Sequence, residues 1–222
     1  VNPYPENPMG HGAEGAKYRF QWTFPIVVSP HDPNTVYAGS NVLHRTTNEG
    51  QSWEVISPDL TRNDPAKLGS SGGPVTKDNT SVEYFCTIFA MAESRLEQGV
   101  LWVGSDDGLV HVSRDAGKTW QNVTPPALPA WSTINQIDPG THGPGTAYVA
   151  AHRYRLDDFS PYAFVTHDYG RSWRSISGDL PADGGFVRAV RQDPVREGLL
   201  YAGTETGLWF SLDEGAHWRP LR

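Results

Sequence analysis

Thr46-Thr47-Asn48-Glu49-Gly50-Gln51-Ser52-Trp53 recurs as Ser113-Arg114-Asp115-Ala116-Gly117-Lys118-Thr119-Trp120, Thr166-His167-Asp168-Tyr169-Gly170-Arg171-Ser172-Trp173 and Ser211-Leu212-Asp213-Glu214-Gly215-Ala216-His217-Trp218. The glycines stand 67, 53 and 45 residues apart. A fixed motif at wandering spacing marks one structural unit with loops of variable length. Each residue type in the motif has a local task. Asn48, Asp115, Asp168 and Asp213 can accept backbone N–H bonds inside their own turn. Gly50, Gly117, Gly170 and Gly215 supply the positive φ of a bulged hairpin. The hydroxyl that opens each motif can close the loop from the incoming strand. The closing tryptophans, Trp53, Trp120, Trp173 and Trp218, start the outgoing strand and can pack between neighbouring units. These acids read as scaffold, not as catalysts.

Upstream of each motif lies a strand pair. Val36-Tyr37-Ala38-Gly39-Ser40, Leu101-Trp102-Val103-Gly104-Ser105, Ala147-Tyr148-Val149-Ala150-Ala151 and Leu200-Tyr201-Ala202-Gly203-Thr204 are equivalent, and each precedes a run that enters the motif. Earlier first strands are expected at roughly 20–28, 84–91, 132–137 and 186–192, three of them followed by an Asp-Pro turn (Asp32-Pro33, Asp138-Pro139, Asp193-Pro194). Four strands per unit describe a propeller blade. The expected fold is all-β: four four-stranded antiparallel blades at about 20–60, 84–125, 131–180 and 186–222, with a long insertion at 57–83 and an N-terminal tail or linker at 1–19. The expectation extends to a piece of a larger propeller, whose partners are the remaining blades or another copy of the chain.

Composition narrows the function classes. The 222 residues hold 23 Gly, 18 Pro and 8 Trp, a turn-rich and aromatic mixture that suits strands. Net charge is −7 and no Lys/Arg cluster appears, which argues against nucleic acid or an anionic membrane and towards neutral or cationic ligands. The one cysteine, Cys86, lies in the apolar run 84–89 and reads as a buried, inert thiol. No apolar stretch approaches the ~20 residues of a membrane span. Asn79-Thr80-Ser81 and Asn122-Val123-Thr124 match glycosylation acceptors.

The four motifs resemble the Asp-box, or BNR, repeats of sialidases, xyloglucanase-type glycoside hydrolases, sortilin-like proteins and photosystem assembly factors. Ser57-Pro58-Asp59-Leu60-Thr61-Arg62-Asn63-Asp64, Gly73-Pro74-Val75-Thr76-Lys77-Asp78-Asn79-Thr80 and Arg153-Tyr154-Arg155-Leu156-Asp157-Asp158-Phe159 resemble large bacterial proteins described as sortilin-like or as BNR-repeat glycosyl hydrolases. The resemblance implies a secreted, periplasmic or cell-surface module that recognises a peptide, glycan or partner protein. Its alternative implication is a glycoside hydrolase. Ser105-Asp106-Asp107-Gly108 resembles the Thr-Asp-x-Gly-Gly loop that carries a catalytic Asp in xyloglucanase-type enzymes, without its second glycine, and Glu205 occupies the same slot two blades on.

Antiparallel order puts the Asp boxes on one face and the loops between second and third strands on the other, where propellers place ligands. Candidate residues on that second face are Asp106 and Glu205 as catalytic carboxylates, and Asn41, Asp107, Arg153, Arg155, Asp157 and Asp158 as ligand contacts. No cofactor is expected. The eight histidines show no ligand spacing, and only Asp106-Asp107 and Asp157-Asp158 offer hard oxygens suited to Ca²⁺. His44 and His111 share one strand position, which speaks for packing.

Overall fold

The computed structural model describes residues 3–6, 10, 12–72, 75–78, 84–181 and 185–221. Four antiparallel sheets of four strands follow one another along the chain, each in sequential order. The first contains β1 (Ile26–Val28), β2 (Val36–Gly39), β3 (Leu43–Thr46) and β4 (Glu54–Val55). A two-stranded hairpin, β5 (Ser71–Gly72) with β6 (Lys77–Asp78), lies in the 57–83 excursion. The second sheet is β7 (Ile88–Glu93), β8 (Leu101–Ser105), β9 (Val110–Ser113) and β10 (Gln121–Asn122). The third is β11 (Thr133–Pro139), β12 (Ala147–Arg153), β13 (Asp158–Thr166) and β14 (Arg174–Ser175); the fourth is β15 (Val187–Gln192), β16 (Leu200–Thr204), β17 (Leu208–Ser211) and β18 (Arg219–Pro220). The protein is an all-β propeller array of four blades with Asp-box turns. Among the described residues no helix is long and apolar enough to cross a membrane.

The boxes close as their chemistry dictates. In each, the opening hydroxyl accepts the glycine N–H (Thr46–Gly50 3.1 Å, Ser113–Gly117 2.9 Å, Thr166–Gly170 2.9 Å, Ser211–Gly215 2.8 Å). The same hydroxyl donates to Oδ1 of Asn48, Asp115, Asp168 or Asp213 at 2.8–2.9 Å. That Oδ1 also accepts the N–H four residues on, from Ser52, Thr119, Ser172 or His217. The backbone turns left-handed at two successive residues, for example Tyr169 (φ 60°) and Gly170 (φ 81°). Hydrogen bonds to the ionised form hold the carboxyls of Asp115, Asp168 and Asp213 below the usual carboxylate range, with Thr119, Ser172 and His217 as the leading donors.

Blades pack in series, first on second, second on third, third on fourth, and among the described residues no junction of comparable extent joins the fourth to the first. The box tryptophan reaches back across each junction: Trp120 Nε1 donates to Ile56 O (2.9 Å), Trp173 to Val123 O (2.6 Å) and Trp218 to Ile176 O (2.7 Å). Small residues in the second strands let the sheets approach; a Cβ at Gly104 would collide with the Ile134 side chain. Between the innermost strands of the third and fourth blades, side chains stand in for a ladder. Asn135 donates to Arg188 O, Gln136 accepts from Val190 N (2.9 Å) and Asp138 accepts from Gln192 N (2.9 Å) and Arg191 (2.6 Å).

Some boundaries differ from the expectation. Residues 20–25 are not strand, because a turn closes from Phe24 N to Gln21 O and Pro25 lacks an N–H, so β1 starts at Ile26. Residues 84–87 are also irregular: Cys86 has φ 60°, and β7 begins at Ile88. Asp138-Pro139 is not a turn but the end of β11, whereas Asp32 and Asp193 do cap turns by accepting from Asn34, and from Val195 and Arg196. The N-terminal segment lies against the first blade: Tyr18 and Phe20 pack on the His44 ring at 4.8 and 5.7 Å. Ala13 joins Leu68, Tyr84 and Cys86 in a small core, and burial pushes the Cys86 thiol up to about 12, an inert group as expected. His44 and His111 are packed within their blades, and burial lowers both to about 4. Asn79-Thr80-Ser81, Gly73-Pro74 and His11 lie outside the described residues.

Candidate functional site

On the face opposite the boxes, a cleft of about 560 Å³ opens between the 20–22 segment, the 57–83 excursion and the loops of the second and third blades. Its walls are Gln21, Trp22, Lys67, Tyr84, Phe85, Asp106, Trp131, Thr133, Arg155 and Leu156. Trp22 is 68% exposed, so its indole face is available to a ligand. Trp131 is set by a left-handed backbone (φ 65°) and by the close approach of Gly108, whose absent Cβ leaves room for the Ser132 carbonyl. Phe85 stacks on Trp131 at 6.1 Å, while Arg62 and Lys67 sit over its ring at 5.0 and 5.5 Å.

Asp106 is 2% exposed and fully engaged: Oδ1 accepts from Thr87 N (2.8 Å) and Oδ2 from the Thr87 hydroxyl (2.7 Å). Burial raises its carboxyl to about 7 against the lowering effect of the Thr87 bonds. Its neighbour Asp107 points elsewhere, accepting from the Ser105 hydroxyl and from Arg62 N (2.7 Å), while its carbonyl holds Arg62 Nε (2.8 Å). Arg62 is thereby aimed at Trp131 without an ion pair. Lys67 and Arg155, which line the cleft, also take part in no ion pair among the described residues, and the Arg155 charge acts on Asp106 across it.

The other expected site residues divide. Asn41 is a buried strut, accepting from Arg19 N (3.0 Å) and donating to Asp59 (2.9 Å). Arg153 pairs with Asp158 (2.9 Å), which also accepts from Tyr162 (2.7 Å). Burial is the largest single influence on Asp158 and pushes it up, but the bonds from Tyr162, Ser160 and Arg153 together outweigh it and hold the carboxyl at about 2. Asp157 is exposed at a left-handed residue after the short 3-10 turn Tyr154–Leu156. Glu205 does not line the cleft; it is held by Arg188 (2.9 Å) beside the stacked Tyr154–Phe186 pair. Asp106 is thus the sole carboxylate among the described cleft residues, and Asp106 and Glu205 are not brought into one pocket. Among the described residues no group of three or more His, Cys, Asp or Glu side chains gathers to hold a metal ion.

The aromatic walls were missed by sequence reasoning, yet a signal was present. Of the 8 tryptophans, four close boxes and two, Trp102 and Trp209, lie within blade strands. Trp22 and Trp131 are left over, and both line the cleft.

No family model matches the sequence. Over 216 residues the chain is 24% identical to a probable oligoxyloglucan-reducing end-specific xyloglucanase of Neosartorya fischeri, covering 87% of this chain and 25% of that protein. An ancestral GH74 enzyme superposes with a TM-score of 0.65 at 20% identity, over 97% of this chain and 25% of its own. The GH74 xyloglucanase of Xanthomonas campestris superposes at 0.60 and 21% identity, over 89% and 29%. At such identities the likeness carries the propeller fold. The chain spans about a quarter of the length of these relatives.

Proposed function

We propose that this propeller is a saccharide-binding module whose ligand lies in the loop-face cleft, stacked on Trp22 and flanked by Lys67 and Arg155. The observation that carries the reading is the wall itself, an exposed indole beside further aromatic rings and two cations, Lys67 and Arg155, on one concave surface. Every described wall residue except Thr133 at the start of β11 lies outside the blade strands, which favours a ring-stacking ligand over a peptide added as a strand. The cations favour sugars bearing acidic groups over neutral ones, in spite of the chain's overall −7. Likeness to xyloglucanase propellers supports a glycan over the peptide or partner protein of a sortilin-like reading, and a glycan ligand fits a secreted, periplasmic or cell-surface setting.

Binding without hydrolysis is the reading the carboxylates support. Both oxygens of Asp106 are committed to Thr87, and a glycosidase needs a second acid, about 5–9.5 Å away across the bond to be cut. Calorimetric titration with polyuronates, sulfated glycans and neutral xyloglucan tests this. Expected are binding without release of reducing ends, tightest for the acidic glycans and weaker with salt, and a loss of about tenfold or more in affinity for Trp22→Ala. Silence across the panel, or sugar release that vanishes in Asp106→Ala, overturns it.

A further inference from the structure

Asp106 is held so that its carboxyl cannot turn away from the cleft it lines. Its N–H donates to Thr87 O (2.9 Å) and its carbonyl accepts the Thr133 hydroxyl (3.1 Å), while Thr87 donates to both carboxyl oxygens. All of these partners are neutral, and among the described residues Asp106 forms no ion pair. An ionised carboxyl at this position therefore places an uncompensated negative charge in the wall, where burial leaves little water to screen it.

Charged and titratable groups face it from each neighbouring segment. Asp107, on the same loop, is committed to the Ser105 hydroxyl and to Arg62. Cys86 and Tyr84 belong to the 84–87 segment; burial pushes the thiol up to about 12 and raises the Tyr84 phenol, so both stay protonated near neutrality. Arg155 stands on the third-blade loop and Lys67 on the excursion, and these are the wall's cations. Asp106 itself is raised to about 7, chiefly by burial, so its own charge changes close to neutral pH.

We propose that Asp106 sets the charge selectivity of the cleft. Neutral, it lets an anionic saccharide sit beside Lys67 and Arg155; ionised, it repels the anion and cancels part of the attraction of Arg155. Because this rests on the saccharide-binding reading above, it amounts to a control of that site: ligand is captured in mildly acidic surroundings and let go as they turn alkaline. Binding an anion favours the neutral carboxyl in return, so the complex takes up protons near pH 7. A neutral saccharide in the same cleft carries no charge for Asp106 to oppose, and its affinity is independent of this ionisation.

Calorimetric titration of the intact chain with oligogalacturonate from about pH 5.5 to about pH 8.5, at fixed ionic strength, tests this; the uronate carboxylates stay ionised across that range. Affinity is expected to fall by about three- to tenfold as pH rises through about 7, the size of one charge repulsion in a partly screened cleft. Asp106→Asn, with unchanged circular dichroism, removes the slope and binds at the alkaline end as the parent does at the acidic end. Neutral xyloglucan oligosaccharide shows no slope with either protein. At about pH 7 the parent's binding heat differs between buffers of low and high ionisation enthalpy, which reports the proton uptake without any substitution. Equal slopes in parent and variant, a flat parent profile, or heats indifferent to buffer overturn the proposal while leaving saccharide binding in place. Absence of binding at every pH overturns both.

Discussion

At the scale of single residues, Asp106 is a buried carboxyl whose two oxygens both accept from Thr87. Its carboxyl is raised to about 7 from an ordinary 3.8, so the folded chain holds a proton that the unfolded chain has released between those values. The stabilisation is fully present below about pH 4 and is lost as pH rises through about 7. Asp106→Asn keeps an acceptor for Thr87 N and offers a donor to its hydroxyl. In chemical denaturation the variant is expected to lose this part of the pH dependence and to exceed the parent at pH 8 by at least ~1 kcal/mol. A parent curve that is flat between pH 4 and 7 contradicts the assignment. Glycines separate just as sharply. A Cβ at Gly170, where φ is 81°, would stand 2.5 Å from Val123 Cβ, whereas one at Gly207 meets nothing within 4 Å. Gly170→Ala is expected to cost about 2–4 kcal/mol and Gly207→Ala less than about 0.5, read as shifts in denaturation midpoint.

At the scale of elements, the box is a turn and a junction at once. Trp173→Phe leaves the Val123 carbonyl without its donor and is expected to cost about 1–3 kcal/mol, measured by thermal unfolding against a Trp22→Phe control on the exposed loop. The boxes were legible in the sequence because the side-chain bonds that close them span no more than four residues, so their chemistry survives changes in loop length. The second and third strands, which precede each box, were legible from their apolar pattern. First-strand starts were not, because they depend on distant partners: Thr87 is held by Asp106, and the carbonyl of Cys86 by Arg19. The cleft was legible only in part. Asp106 and Arg155 were found from loop position, but which acids are buried and paired depends on contacts such as Arg62 to Asp107, 45 residues apart.

At the scale of the whole molecule, each blade is stabilised by its own sheet and by its neighbours alone, so stability is close to a sum of blade and junction terms. Among the described residues the fourth blade packs on the third, and Leu208 and Leu212 are exposed apolar positions on it. In the Leu208→Glu variant, amides of β15–β18 are expected to exchange with solvent before those of β11 and β12, which are flanked on both sides. Uniform exchange across the blades would mean that the array melts as one unit.

Among the junctions, that between the first and second blades is the least extensive, and it lacks the side-chain pegs that Asn135, Gln136 and Asp138 drive between the third and fourth. The cleft straddles that thin seam, with Trp22 ahead of β1 and Trp131 beyond β10. The cleft is therefore bounded on one side by the pegged half of the array and on the other by the blade with the fewest contacts to its neighbour.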